Sequence, residues 1–301
     1  MGRVGLVLHP RRDCSPAVGQ VAAWMSSHHV ELAATADDVT RLGTPSVTPV
    51  DVEELASSCD GIIALGGDGT LLGAMRLVAA RPVPVLGVNF GNLGFLAEVE
   101  GAGLDDALAA MTEGRFTVET RGCLVVRHAG GELLAFNDAV LARVPGEGLV
   151  EAVLSVAGRR HGHYRCDSLI LATPMGSTAY NYAAGGPVVS PGIEGILVTP
   201  AAPLSGITRS VLLGPGEPLR LELTAGRPAV ELDGVLTGRL EMEEVLEVVW
   251  RPDAGRLVRI DGSRSADRSR VKLSLLDLPL KPQELVELLP EHLRRRLAEP
   301  D

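Results

Sequence analysis

The sequence predicts an α/β N-terminal domain with a parallel sheet, followed by an all-β domain of sandwich type. Up to about residue 115, short apolar runs alternate with helix-like segments. From Arg115 to about Ile260, β-branched runs recur between closely spaced Gly and Pro. Pro282 to Leu297 is helical in texture again and is expected to return to the first domain. The expected division is residues 1–115 plus a returning segment 265–301, with residues 116–264 as the β-sandwich.

Val4–Leu8 is a continuous apolar run, the mark of a parallel strand buried on both faces. Ser15-Pro16 offers an N-cap and a proline at the first helical position, opening a helix to about His28. Asp51–Ser58 reads as a helix, and Gly61–Leu65 as a buried strand stopped by Gly66-Gly67. A helix over Thr70–Ala80, a strand over Pro84–Val88 and a helix over Leu104–Met111 complete the first domain. In the second, strands are expected at Cys123–Arg127, Ala139–Ala142, Ala152–Val156, Leu169–Ala172, Leu219–Leu223 and Leu246–Trp250. His161-Gly162-His163 reads as a hairpin tip rather than a metal pair, and His28-His29 as a helix end.

The chain has 301 residues, 46% hydrophobic and 22% charged, which excludes a disordered protein. Lys+Arg 28 against Asp+Glu 38 leaves a net charge of −10, and aromatics are 3%. Neither a basic face nor a stacking platform for nucleic acid is visible, so no nucleic-acid partner is expected. Arg294-Arg295-Arg296 reads as the cationic last turn of a helix. Cys14, Cys59, Cys123 and Cys166 are scattered without paired spacing, as in reduced thiols, and a cytoplasmic location is expected. No signal-peptide pattern and no run of apolar residues long enough to span a bilayer is present, so no membrane association is expected.

Gly66-Gly67-Asp68-Gly69-Thr70 lies between a buried strand and a helix. Glycines there let backbone approach an anion, and a helix N-terminus adds free N–H groups, so Gly66, Gly67, Gly69 and Thr70 are the candidate phosphate cradle. Asp68 among them would repel phosphate unless it accepts a hydroxyl proton or holds Mg2+. As a plain strand–helix turn the same pentapeptide would place Asp68 near the N-cap. A P-loop is excluded, because the only lysines, Lys272 and Lys281, do not follow glycine. A second, longer signal runs from Asp167 to Pro187. There a strand ends at Thr173-Pro174 and a Gly-Ser-Thr turn follows, offering hydroxyls, amides and the ring of Tyr180, a set suited to a base and ribose.

Together these segments resemble the NAD kinase family. Asn89-Phe90-Gly91-Asn92-Leu93-Gly94-Phe95-Leu96, Asn137-Asp138 before an apolar strand, Leu197-Val198-Thr199-Pro200 and the stretch Ser205–Leu213 support the resemblance, which covers roughly residues 55–280. The Thr178-Ala179-Tyr180 block is highly specific, whereas the glycine loop alone is shared with lipid kinases of the diacylglycerol kinase type. The resemblance implies phosphoryl transfer to the 2′-hydroxyl of the adenosine ribose of NAD, with Asp68 as proton acceptor. It implies ATP or polyphosphate as donor, Mg2+ or Mn2+, and a homodimer or homotetramer whose nicotinamide site can include a neighbouring subunit.

Residue by residue, it places Asn137 and Asp138 against the adenosine, and Thr178, Ala179 and Tyr180 around the adenine and nicotinamide ends. Asn181 and Ala183 line the same loop, and Gly69 joins Asp68. Asp167 and Ala202 fall near the nicotinamide, and Arg165 near the phosphates. Three positions depart from the family pattern: Asp138 where Glu is common, Met175 where Ser or Thr is usual, and Val235 in place of Gln after Asp233-Gly234. Met175 is expected to add bulk beside the dinucleotide. The alternatives are a lipid kinase, which should expose an apolar groove, and a silent dinucleotide-binding sensor.

Overall fold

The computed structural model describes residues 1–90 and 96–260. The core of the 89–96 motif, Lys272, Lys281, the 282–297 helix with Arg294–Arg296, and the returning segment 265–301 lie outside the described residues.

In chain order the first part holds β1 (Arg3–Leu8), α1 (Ser15–Ser27), β2 (Glu31–Thr35), α2 (Ala36–Leu42), β3 (Thr48–Val50), α3 (Val52–Ser58), β4 (Gly61–Gly66), α4 (Asp68–Leu77), β5 (Pro84–Asn89), β6 (Val99–Glu100) and α5 (Leu104–Thr112). Strands β1 to β5 form a parallel sheet in the order β3-β2-β1-β4-β5. All six residues of β4 are buried, as its unbroken apolar run requires. Helices α1 and α5 pack on one face with Val4, Leu6 and Ile63, while α3 and α4 pack on the other with Ile62, Ala64 and Val85.

Caps set the short helices. The Thr35 side chain accepts from the Asp38 amide to open α2, and Asp51 accepts from the Glu54 amide, at 2.7 Å, to open α3. Helix α1 differs from the expectation at its start. Ser15 is already helical, and its amide is held by Asp13 Oδ1 at 2.9 Å. Strands β2 and β3 escaped the sequence reading because Leu-Ala-Ala and Thr-Pro-Val are too short and too poor in branched residues to signal a strand.

The second part holds β7 (Thr117–His128), β8 (Gly131–Ala135), β9 (Asp138–Ala142), β10 (Val150–Val156), β11 (Arg159–Cys166), β12 (Ser168–Ala172), α6 (Tyr180–Ala183), β13 (Ile196–Ala201), β14 (Ser205–Gly206), β15 (Val211–Leu213), β16 (Leu219–Ala225), β17 (Ala229–Leu232), β18 (Val235–Arg239) and β19 (Val245–Arg259). One sheet runs β15-β13-β12-β9-β17-β18, and it is antiparallel throughout. Its inner face packs Leu141, Leu169 and Val198 onto Leu154, Leu221 and Val248 of the second sheet, as in a sandwich.

That second sheet does not stop at the sandwich. Its strand β19 pairs antiparallel with β7 and β16, then parallel with β5 at Arg256↔Pro84 and Leu257↔Val85. The parallel sheet of the first part and the antiparallel sheet of the second are therefore one hydrogen-bonded surface. The join needs a close approach at Gly255, where a Cβ would stand 2.8 Å from the Phe136 ring and 2.9 Å from Met75 Sδ. His161 and His163 lie within β11 and not at a hairpin tip; the turn is made by Ala157 and Gly158, both at positive φ. Among the described residues no cluster of three metal-ligating side chains exists, and no helix is long and apolar enough to cross a membrane.

Candidate functional site

The glycine loop follows β4 and opens α4. Gly67 is the N-cap and Asp68 the first helical residue, two positions earlier than the sequence predicts. The loop divides in two. Gly66 is buried against Thr70, whose Oγ1 would stand 2.2 Å from a Cβ on Gly66. Among the described residues nothing lies within 4 Å of a Cβ built on Gly67 or Gly69. So Gly66 and Thr70 build the turn, and Gly67 and Gly69 present the free surface that an anion can approach. Asp68 is half-buried, and its Oδ1 accepts the Leu96 amide at 3.1 Å.

Asn137 and Asp138 stand at the start of β9, in register with the end of β12 at Ala172. Thr173 clamps this corner: its amide donates to the Asn137 carbonyl at 2.8 Å, and its hydroxyl to the Phe136 carbonyl at 2.6 Å. Gly176 is pressed against the same peptide, 2.0 Å from a Cβ to the Asn137 oxygen. Only glycine fits there, which explains its place in Thr-Pro-Met-Gly. Thr178 and Ala179 are partly exposed, and Tyr180 presents its ring to solvent at 41% exposure. The Tyr180 amide donates to the Asp138 carboxylate.

A residue the sequence reading mentioned only as part of a departure organises this corner. Asp233 sits in the β17–β18 turn at φ 48, a conformation Asp tolerates better than most residues. Its side chain is 1% exposed. Its carboxylate accepts the amides of Phe136 at 3.2 Å, Asn137 at 2.6 Å and Asp138 at 3.2 Å. It also pairs with Arg76, two turns along α4 from Asp68. The helix that begins with Asp68 is thereby tied to the backbone that presents Asn137 and Asp138. The signal was present in the sequence as Asp-Gly at a two-residue hairpin, but nothing local says what the carboxylate binds.

Two further expectations change. Met175 does not add bulk beside a ligand surface: it is 5% exposed and shares an apolar cluster with Leu71, Leu72, Met75 and Phe136. A thioether suits that contact because it adapts to irregular gaps. Asn181 is fully buried. Its amide donates to the Ser177 and Pro187 carbonyls at 2.7 and 3.0 Å and accepts from Thr199 Oγ1 at 2.6 Å, so the side chain staples the loop from within. Ala183 is exposed on α6. Val235 is exposed beside the Asp233 turn, and nothing in the structure explains its departure.

Arg165, Asp167 and Ala202 are elsewhere. Asp167 precedes β12 at its Ser168 end, and its amide donates to the Ala201 carbonyl at 3.1 Å. Ser168 and Ala172 are four steps apart, about 13 Å along a strand. These three residues therefore gather at the opposite end of the sheet from Asp138. There Arg165 pairs with Glu151 at 2.8 Å and Asp167 with Arg143 at 3.0 Å, in partly exposed pairs worth little to stability. Ala202 is held at φ 47. The four cysteines are buried and free, and burial pushes the Cys123 and Cys166 thiols up to about 12, which suits packing and not nucleophilic chemistry.

The chain matches the family described as ATP-NAD kinase N-terminal domain over residues 4–116 and that described as ATP-NAD kinase C-terminal domain over residues 136–260. It is 36% identical to NAD kinase 1 of Streptomyces avermitilis, covering 92% of this chain and 88% of that one. It is 38% identical to NAD kinase of Nocardia farcinica, over 73% and 70% of the two chains. Two solved structures share the fold. Yeast NADH kinase complexed with NADH superposes with a TM-score of 0.83 at 21% identity, covering 94% of this chain and 90% of that one. An NAD kinase from Archaeoglobus fulgidus in complex with ATP gives 0.69 at 24% identity, over 90% and 98%.

Burial, and after it the neighbouring Asp233 and Glu231 charges, push the Asp138 carboxyl up to about 7, against the opposing pull of the Tyr180 amide. Its folded value lies above the unfolded one near 4. Between those values the folded protein keeps a proton that the unfolded chain has lost, so stability falls as pH rises through this window. Thermal melts from about pH 4 to 8 should show Asp138→Asn gaining on the wild type up to about pH 7 and level above it; a constant difference would refute the shift. Asp233→Ala leaves Arg76 and the 136–138 amides without their carboxylate, and should cost about 3–5 kcal/mol in denaturant unfolding.

Proposed function

The chain belongs to the NAD kinase family, and we propose that Asp68 accepts the proton of the 2′-hydroxyl of the adenosine ribose of NAD as that oxygen attacks the terminal phosphorus of ATP. The O–H proton passes to the Asp68 carboxylate, the new O–P bond forms, the bond to the leaving diphosphate breaks, and NADP and ADP result. The observation that carries this reading is the half-buried Asp68 at the N-terminus of α4, flanked by Gly67 and Gly69, which no described residue crowds. Phosphate fits against those amides.

Around that centre, Asn137 and Asp138 would hold the adenosine, and Thr178, Ala179 and the exposed Tyr180 ring would enclose the dinucleotide. Asp138 binds ribose hydroxyls best when ionised, which favours neutral to alkaline pH. Arg165 near the phosphates, and Asp167 and Ala202 near the nicotinamide, would lie at the far end of the sheet, where in this family a neighbouring subunit of a homodimer or homotetramer can contribute. A polyphosphate donor in place of ATP remains compatible with the same open amides.

A divalent ion, Mg2+ or Mn2+, fits the donor set in one form. Among the described residues no three ligating side chains converge, whereas Mg2+ is commonly held by one or two carboxylates with substrate phosphates and water. Asp68 is the carboxylate that the glycine loop carries and the one that would hold such an ion. When bound, such an ion neutralises charge on the transferring phosphoryl group.

Asp68→Asn should leave the fold intact and reduce NADP formation by ~10²–10⁴-fold, or about 3–5 kcal/mol of barrier. Near-normal turnover in a coupled NADP assay would sink the assignment. Full chelation should abolish activity and excess Mg2+ should restore it; turnover that survives chelation would rule the metal out.

A further inference from the structure

We propose that Arg259, remote in sequence from every motif above, is a positioning residue for Asp68, acting through the backbone of Leu96. The Leu96 amide donates to Asp68 Oδ1 at 3.1 Å, and the carbonyl of the same residue accepts from Arg259 Nη1 at 2.9 Å. One residue thus grips the proposed proton acceptor on its N–H side and a buried guanidinium on its C=O side. The inference rests on Asp68 being the proton acceptor.

The guanidinium is itself fixed. It is 7% exposed, and Nη1 reaches Glu98 Oε2 at 3.1 Å while Nε reaches Glu119 Oε2 at 2.6 Å. Glu98, 2% exposed, also accepts the Ile260 amide through Oε1 at 3.0 Å, and its own amide donates to the Gly87 carbonyl at 2.9 Å. Residues 96–98 are therefore pinned to β5 and β19 at once. A buried ion pair is poor evidence for stability, since apolar residues of equal volume often do as well. What an arginine adds is direction: its rigid fork can hold two carboxylates and a carbonyl in one arrangement. Leu96, a member of that arrangement, also touches Asp68.

A loss of this grip lets the Leu96 amide drift and loosens the carboxylate, while the Asn137–Asp138 corner stays tied to Asp233 and the Tyr180 amide to Asp138. Turnover should fall without a matching loss of NAD binding. The experiment compares wild type, Arg259→Met, Arg259→Lys and Asp68→Asn, checked for folding by thermal melts, with kcat from NADP formation and NAD affinity from calorimetry. Arg259→Met should lower kcat by roughly 10- to 100-fold, with NAD affinity held within about threefold. Arg259→Lys should recover part of that loss, because an ammonium keeps the charge and can reach one acceptor. A kcat within about twofold of wild type in Arg259→Met, or equal losses in kcat and NAD affinity, would overturn the proposal. If Arg259→Met does not fold, Glu98→Gln is read by the same split with the same two outcomes. An inactive Asp68→Asn beside a fully active Arg259→Met removes only the positioning role. Normal turnover in Asp68→Asn removes the proton acceptor, and this inference with it.

Discussion

The candidate site depends on one buried carboxylate that touches no expected ligand. Asp233 binds three successive amides, Phe136 to Asp138, and the guanidinium of Arg76. The partners come from two elements: the three amides from the entry to β9, and Arg76 from α4. Amides buried without an acceptor are costly, and a buried carboxylate without a cation is costlier. The two requirements cancel only in one relative placement of α4 and β9. That placement puts the glycine loop and the Asn137–Asp138 corner on a common frame.

The same logic recurs along the seam between the α/β part and the sandwich. Strand β19 carries the hydrogen bonding of the sandwich into the parallel sheet at Arg256 and Leu257. Gly255 allows Phe136 and Met75 to meet over it, and Met175 fills the adjoining space. Arg259, two residues beyond Leu257 along β19, reaches back to Leu96, whose amide donates to Asp68. Polar contacts give direction at this seam and apolar contacts supply its bulk. Dispersion and burial are indifferent to orientation, while short hydrogen bonds to charged groups are not.

The placement of the candidate site residues follows from strand register. Asp138 pairs with Ala172 and Ala142 pairs with Ser168, so motif residues adjacent in one reading of the sequence part to opposite ends of β12. Thr178 to Tyr180 follow the Ala172 end, whereas Asp167 and Arg165 precede the Ser168 end. The two sets therefore lie about 13 Å apart along one strand.

By itself the sequence determined the alternation of buried strands and helices up to residue 115, the β-rich remainder and the glycine loop with its acid. It also determined the family, through Thr178-Ala179-Tyr180 and Asn137-Asp138. These features are local: period, turn chemistry and short motifs are written in neighbouring residues. Only the tertiary structure decided that Met175 is core, that Asn181 is spent on holding its own loop, and which groups Asp233 and Arg259 bind. For Asp233 and Arg259 the partners come from far along the chain, 157 residues apart for Arg76 and Asp233 and 163 for Leu96 and Arg259. No periodicity or spacing encodes such a pairing. It exists once the sheet has closed and buried charge must find its counterpart.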